Sequence, residues 1–249
     1  MDIIDGLINE KQLISYINEN TFNNYNNNIK NFLNFTFNEE IDMNMKFIAE
    51  KISGTMKPDL SITHKGITKY ISVKKGSGNS VHQEKANIFF KFIEINLGND
   101  ISDKLKLFHY GDGSIDDTGK IRYNASKCKK LYSCEINDIN QVFNLQKNLD
   151  CFINRFLFLG NNSNPIKVDL IYHGTINEGL WASYHEIKCF ILNHCFPKDT
   201  VHFGPLTYQV WGRDENYTAK HPDRRYVMQV KWGGLRNDLI TITNLRRKD

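Results

Sequence analysis

The sequence predicts an α/β protein with a mixed central sheet flanked by helices, and three observations carry that expectation. Residues Lys57 to Thr63 and Thr68 to Lys74 alternate polar and apolar side chains around Lys65-Gly66, the pattern of a β-hairpin. Apolar residues at helical spacing stand on both sides of that hairpin. Two late runs, Leu206 to Trp211 and Tyr226 to Trp232, are rich in β-branched and aromatic residues, as strands are. With 249 residues, 40% of them hydrophobic, the chain is long enough to bury the core such a domain needs.

In chain order, Asp5 to Glu19 places Leu7, Ile8, Leu13, Ile14 and Ile17 near helical spacing. Thr21 to Asn34 interleaves asparagines with aromatics and reads as an irregular stretch, ordered by the packing of Phe22, Tyr25, Phe32 and Phe35. Phe37 to Ile52 reads as a helix through Ile41, Met45, Ile48 and Ile52, stopped by Gly54. The hairpin follows, and its turn sets the register: Thr63 faces Thr68, Ser61 faces Tyr70 and Asp59 faces Ser72. Side chains two apart on a strand share a face, so Asp59, Ser72 and Lys74 converge on one side. Leu60, Ile62, Ile71 and Val73 point to the other.

After the loop Gly76-Ser77-Gly78-Asn79, Ser80 with Gln83 forms a capping-box pattern that predicts a helix with Val81, Ile88, Phe92 and Ile95 turned inward. Glu84 falls on that stripe, where a carboxylate needs a positive partner, a divalent cation or Lys74. Past the break at Gly98-Asn99-Asp100, Lys104 to Tyr110 reads as a strand, and His109 to Ser114 as a turn whose aspartate serves local hydrogen bonds. Leu131 to Leu159 predicts one or two helices, Ile166 to Tyr172 a strand, and Ser183 to Asn193 a helix. The two late strands are joined by Gly212 to Arg225, a loop with Arg213, Lys220, His221, Arg224 and Arg225, so the pair forms a basic hairpin. Arg246-Arg247-Lys248 reads as a frayed tail.

Hydrolysis of a phosphodiester calls for carboxylates that hold a hard cation and a lysine near the attacking water and the phosphate. Asp59, Lys74 and Glu84 supply those groups. Pro58-Asp59, followed thirteen residues after Asp59 by Ser72-Val73-Lys74, resembles the motif of the PD-(D/E)XK nuclease family. That family usually carries Asp or Glu where this chain has Ser72. Some of its restriction enzymes pair a serine there with an acid on the following helix, the place Glu84 is expected to take.

The resemblance rests on residues 37 to 95, about a quarter of the chain. It implies a restriction-endonuclease-like fold in a single domain over 1–249, with 37–95 as catalytic core, 96–205 as helical and strand elaboration, and 206–249 as basic hairpin and tail. It also implies the activity of a type II restriction endonuclease, magnesium-dependent and sequence-specific hydrolysis of double-stranded DNA. In that reading Asp59 and Glu84 are metal ligands, Lys74 orients or activates the water, and Ser72 supports a water at the metal. A helix before the hairpin often adds an acid, for which Glu39 is the candidate and Glu50 the alternative. Expected DNA contacts are Lys75, Ser77 and Asn79 beside the site, and Gln209, Arg213, Lys220, Arg224, Arg225 and Gln229 on the late hairpin. A homodimer is one way for such an enzyme to cut both strands. Two other readings stay open: a structure-specific or repair nuclease, and a degenerate nuclease-like protein that binds DNA without cutting it.

Composition fits these expectations and narrows the classes. A net charge of +4 suits a nucleic-acid partner without requiring one. No run approaches the roughly 18 apolar residues of a membrane span, and Met1 to Glu10 carries acids where a signal peptide has bases, so the expected location is cytoplasmic. The five cysteines are odd in number and lack Cys-x-x-Cys spacing, which argues for reduced thiols. His185, Cys189, His194 and Cys195 lie close together but follow no paired-ligand pattern for zinc.

Overall fold

The computed structural model describes residues 3–38, 46–77, 79–119, 122–211 and 221–248. Helices α1 (Ile3–Glu19) and α2 (Asn27–Phe37) precede strands β1 (Ile48–Lys51), β2 (Leu60–His64), β3 (Ile67–Lys74) and β4 (Ser80–Lys85). A helical stretch follows: α3 (Ala86–Leu97), α4 (Asn99–Tyr110), α5 (Ala125–Leu131), α6 (Ser133–Phe143) and α7 (Gln146–Ile153), the last running into a π-helical turn at Asn154–Leu159. Then come β5 (Leu170–Gly174), β6 (Gly179–Ser183), α8 (Tyr184–Asn193), β7 (His202–Phe203), β8 (Leu206–Val210), β9 (Val227–Lys231) and α9 (Leu235–Arg246). These elements form two compact units, one made of Met1–Asn79, Ile153–Asn193 and Gly234–Asp249, the other of Ser80–Phe152 and His194–Gly233. The stretch 37–95, read above as one core, divides between them after Asn79.

The first unit is built on a five-stranded sheet in the order β1-β2-β3-β5-β6, antiparallel except where β3 runs parallel to β5. Lys65 and Gly66 both have positive φ, 48° and 79°, the conformation a two-residue hairpin turn needs, and Thr63 pairs with Thr68 and Ser61 with Tyr70. Leu60, Ile62, Ile71, Val73, Leu170 and Tyr172 make one buried face of this sheet, packed with Leu13 and Ile17 of α1 and Phe32 and Leu33 of α2. Phe32 sets its ring edge against Tyr172 at 4.7 Å and Trp181 at 5.5 Å.

The asparagine-rich run is regular structure, not an irregular approach. Asn26 caps α2 by accepting from the Ile29 amide at 2.9 Å. Asn28 donates to the Tyr172 hydroxyl at 2.8 Å and accepts from the Gly179 amide at 3.0 Å, tying α2 to the β5–β6 turn. The helix expected over 37–52 is also corrected: α2 ends at Phe37, with Asn38 in the left-handed region, and Ile48–Lys51 is an edge strand paired with β2. Ile41 and Met45 of the expected helix fall outside the described residues, and Ile48 is exposed on the strand, not part of an inward stripe.

The second unit carries an antiparallel four-stranded sheet in the order β4-β9-β8-β7. Beneath it lies an aromatic core in which Phe143 stacks on Phe203 at 4.9 Å and Phe152 meets Phe203 at 4.6 Å. Two expectations are corrected here. Ser80–Lys85 is a strand, and the helix begins only at Ala86, because pairing with β9 overrides the local capping pattern. The inward stripe is Ala86, Phe89, Phe90 and Ile93, while Ile88 and Ile95 face outward. Lys104 to Tyr110 belongs to α4, whose buried residues Ile101, Leu105 and Phe108 recur every three or four positions. No helix among the described residues is long and apolar enough to cross a membrane.

Candidate active site

Asp59 stands one residue before β2, yet its backbone already pairs on both sides: its amide donates to the Ile71 carbonyl at 2.9 Å, and its carbonyl accepts from the Ile52 amide at 3.1 Å. That pairing puts its side chain on the face shared with Ser72 and Lys74. The three meet at a single oxygen. Asp59 Oδ2 accepts from Ser72 Oγ at 3.0 Å, from the Val73 amide at 2.6 Å and from Lys74 Nζ at 3.1 Å. Lys74 Nζ also donates to the Val73 carbonyl at 3.1 Å.

This arrangement leaves specific valences open. An ammonium has three donors and two are engaged, so one N–H of Lys74 remains for a ligand or water. All the bonds to the Asp59 carboxylate fall on Oδ2, and Oδ1 takes none among the described residues. The Lys74 and Asp59 side chains are only 19% and 25% exposed, so their attraction is less screened than that of a surface pair. Ser72 itself is buried.

The sequence reading missed His173. On β5 it pairs in register with Lys74, is buried, and bonds through Nε2 to the Gly76 carbonyl at 2.9 Å. A carbonyl can only accept, so Nε2 is the protonated nitrogen. Asn79 Nδ2 donates to the same carbonyl at 3.1 Å, and the two bonds hold the loop that leaves β3. A lone histidine about 100 residues from the hairpin gave no local signal; only the parallel pairing of β3 with β5 reveals it. In the same loop Lys75 is partly exposed and Ser77 exposed, whereas Asn79 is buried and serves the loop itself.

Glu84 does not lie on a helix. It sits on β4 opposite Met228, buried, with Oε1 3.1 Å from His82 Nε2. Glu39 falls outside the described residues. Glu50, the alternative, lies on β1 opposite Ser61 and is exposed. Among the described residues no three His, Cys, Asp or Glu side chains cluster as a metal cage would. A magnesium ion does not need one: it is commonly held by one or two carboxylates with water completing its shell. The open Asp59 Oδ1, with the Ser72 hydroxyl nearby, fits that mode.

The late hairpin is formed by β8 and β9, with Gln209 directly opposite Gln229. Arg213 and Lys220 fall outside the described residues. The two remaining arginines differ. Arg224 stacks over the Trp211 ring at 4.1 Å. Arg225 instead pairs with Asp117 and lies 3.5 Å from Asp112, whose side chain is fully buried. Asp112 also accepts from the Ser114 and Gly119 amides, the local bonding expected of that turn. Arg225 was expected among the DNA contacts; in the fold its guanidinium is partnered by two carboxylates. Arg246 corrects the frayed tail, since Nε bonds Glu186 Oε1 at 2.5 Å, Nη2 donates to the Trp181 carbonyl at 2.9 Å, and the guanidinium covers Phe35.

No family model matches the chain, and no curated protein matches it in sequence. Its fold is similar to that of a solved structure, restriction endonuclease MspI in complex with its cognate DNA, with a TM-score of 0.58 and 13% identity. The match covers 91% of this chain and 88% of the other. The chain therefore has a restriction-endonuclease-like α/β fold.

Proposed function

We propose that the protein is a DNA endonuclease of the type II restriction class, which hydrolyses phosphodiester bonds with the help of magnesium. The observation that carries this reading is the convergence of Ser72, the Val73 amide and Lys74 on one oxygen of Asp59, with Oδ1 left open among the described residues. A similar fold in a DNA-bound restriction endonuclease supports the choice of substrate. Magnesium, held by Asp59 with water completing its shell, would neutralise charge on the phosphate undergoing attack. Lys74 uses its remaining N–H to orient the attacking water or a phosphate oxygen. The bonds to Oδ2 fix the carboxylate, so that its other oxygen is presented in one orientation. The resemblance offered Glu84 as an acid on the following helix; its place on β4, bonded to His82, removes that support. Lys75, Ser77 and Arg224 are proposed to touch the DNA backbone.

Ser72 favours one rival reading. A neutral hydroxyl stands where the resembled motif carries an acid, as it would in a protein that binds DNA without cutting it. Incubating purified protein with plasmid, with magnesium or with EDTA, separates the two. Cleavage only with magnesium, at ends that share one sequence, is the expected result. Intact plasmid retained by the protein would favour the binding reading.

A further inference from the structure

The second sheet carries a row of three identical side chains. Gln83 on β4 pairs with Gln229 on β9, and Gln229 pairs with Gln209 on β8, so three amides stand side by side on one face. Strands are spaced about 4.8 Å apart, which makes the row about 10 Å long. The next row on the same face is Ser80, Lys231 and Thr207, and Lys85 with Val227 flanks the other side. The opposite face, with Tyr208, Met228 and Val230, is buried in the aromatic core. Gln83 and Gln209 are exposed, and neither side chain makes a hydrogen bond among the described residues. Gln229 donates to Ser80 Oγ at 2.8 Å, which leaves its carbonyl oxygen available.

A structural role does not account for this row, because a solvated strand face is better served by threonine or valine. The eight positions from 80, 83 and 85 across 227, 229 and 231 to 207 and 209 hold two lysines and no carboxylate. The face is thus charge-complementary to a polyanion, while its centre offers paired donors and acceptors. Base edges in the DNA major groove present the same kind of pairs: glutamine matches adenine N6 and N7, and lysine matches guanine O6 and N7. The groove is about 12 Å wide and admits a β-ribbon.

We infer that this face of the second sheet reads the bases of double-stranded DNA. Gln83, Gln209, Gln229 and Lys231 meet base edges, and Lys85 at the end of β4 meets a phosphate. The inference rests on DNA being the substrate, and it adds which residues determine sequence preference. It implies a division of labour: the glutamines set which sequence is bound, and Lys85 sets how tightly any sequence is bound.

Selection of bound duplexes from a randomised pool tests this in EDTA, where binding is read without cleavage. Wild type should enrich one motif. Gln83→Ala, Gln209→Ala and Gln229→Ala should each relax preference at one or two positions of that motif by about 5- to 100-fold, the range for loss of a base contact. Their affinity for random duplex should stay unchanged. Lys85→Ala should keep the motif, lower affinity for all duplexes alike and reduce the salt slope by about one. Thermal melting of each variant checks the fold, which the exposed positions Gln83, Lys85 and Gln209 should not disturb. A triple glutamine variant that selects the wild-type motif would overturn the inference, as would a wild type that enriches nothing. The nuclease reading fails separately, by plasmid left intact with magnesium while the pool still yields a motif.

Discussion

Lys74 Nζ and Asp59 Oδ2 lie 3.1 Å apart, and the contact is one-sided: Oδ2 is saturated while Oδ1 takes no bond among the described residues. Asp59→Asn keeps the shape but removes the charge, and Lys74→Met removes the remaining N–H. Each should lower magnesium-dependent cleavage by at least about 100-fold, as loss of a positioned proton donor or ligand does, with DNA binding retained. Single-turnover rates on plasmid check this. A variant that cuts within a few-fold of wild type would take that residue out of the mechanism.

Ser72→Ala removes one of the three donors to Asp59, which then swings more freely. Cleavage should fall about 10- to 100-fold, the usual effect of losing a partner that orients a metal ligand. Ser72→Asp should act differently: two carboxylates at hydrogen-bond distance repel, so the metal-free protein melts lower, and magnesium restores it. Melting curves with magnesium and with EDTA decide, and a variant indifferent to magnesium contradicts the site.

Arg224 and Arg225 should separate cleanly. Arg225→Ala leaves the buried Asp112 and its neighbour Asp117 without their cation, and should destabilise the protein by about 3 kcal/mol. Arg224→Ala should change stability by less than about 0.5 kcal/mol and reduce the salt slope of DNA binding by about one. Denaturant midpoints and binding at three salt concentrations measure both.

Glu186 carries a pH signature. Burial pushes its carboxyl up, but the hydrogen bonds from Arg246 and Ser183 outweigh burial and hold it below the ordinary glutamate range. Its folded value is depressed, so its contribution is complete above the unfolded value of about 4.3 and is lost as pH falls through the folded value. Glu186→Gln should cost about 1 to 2 kcal/mol near pH 7, and the gap to wild type should close in acid. Melting temperatures from pH 7 down to 3 test it; a gap that stays constant would place the loss elsewhere.

The hairpin was legible because its information is local. Alternation and the Lys65-Gly66 turn fix the register, and the register alone brings Asp59, Ser72 and Lys74 to one face. Strand β4 was not legible, since Ser80 and Gln83 satisfy a helix start while the strand's true partner lies about 145 residues away. An irregularity between Ser80 and His82 also breaks the alternation that would have announced a strand. Lys104 to Leu107 alternates and is nevertheless helical, because burial of Ile101, Leu105 and Phe108 against neighbouring helices outweighs the short pattern. His173 and the glutamine row were hidden for one shared reason: each is defined by pairing between distant strands.

The two units are threaded through one another along the chain, which passes from one to the other four times. Neither is a continuous segment, so no single cut releases either one whole. The first unit includes α9, which is made well after its Asp59 and Lys74. A growing chain therefore holds Asp59 and Lys74 for at least about 160 further residues before the helix that completes their unit is made. Its folding depends on long-range closure, which favours slow formation over rapid local assembly.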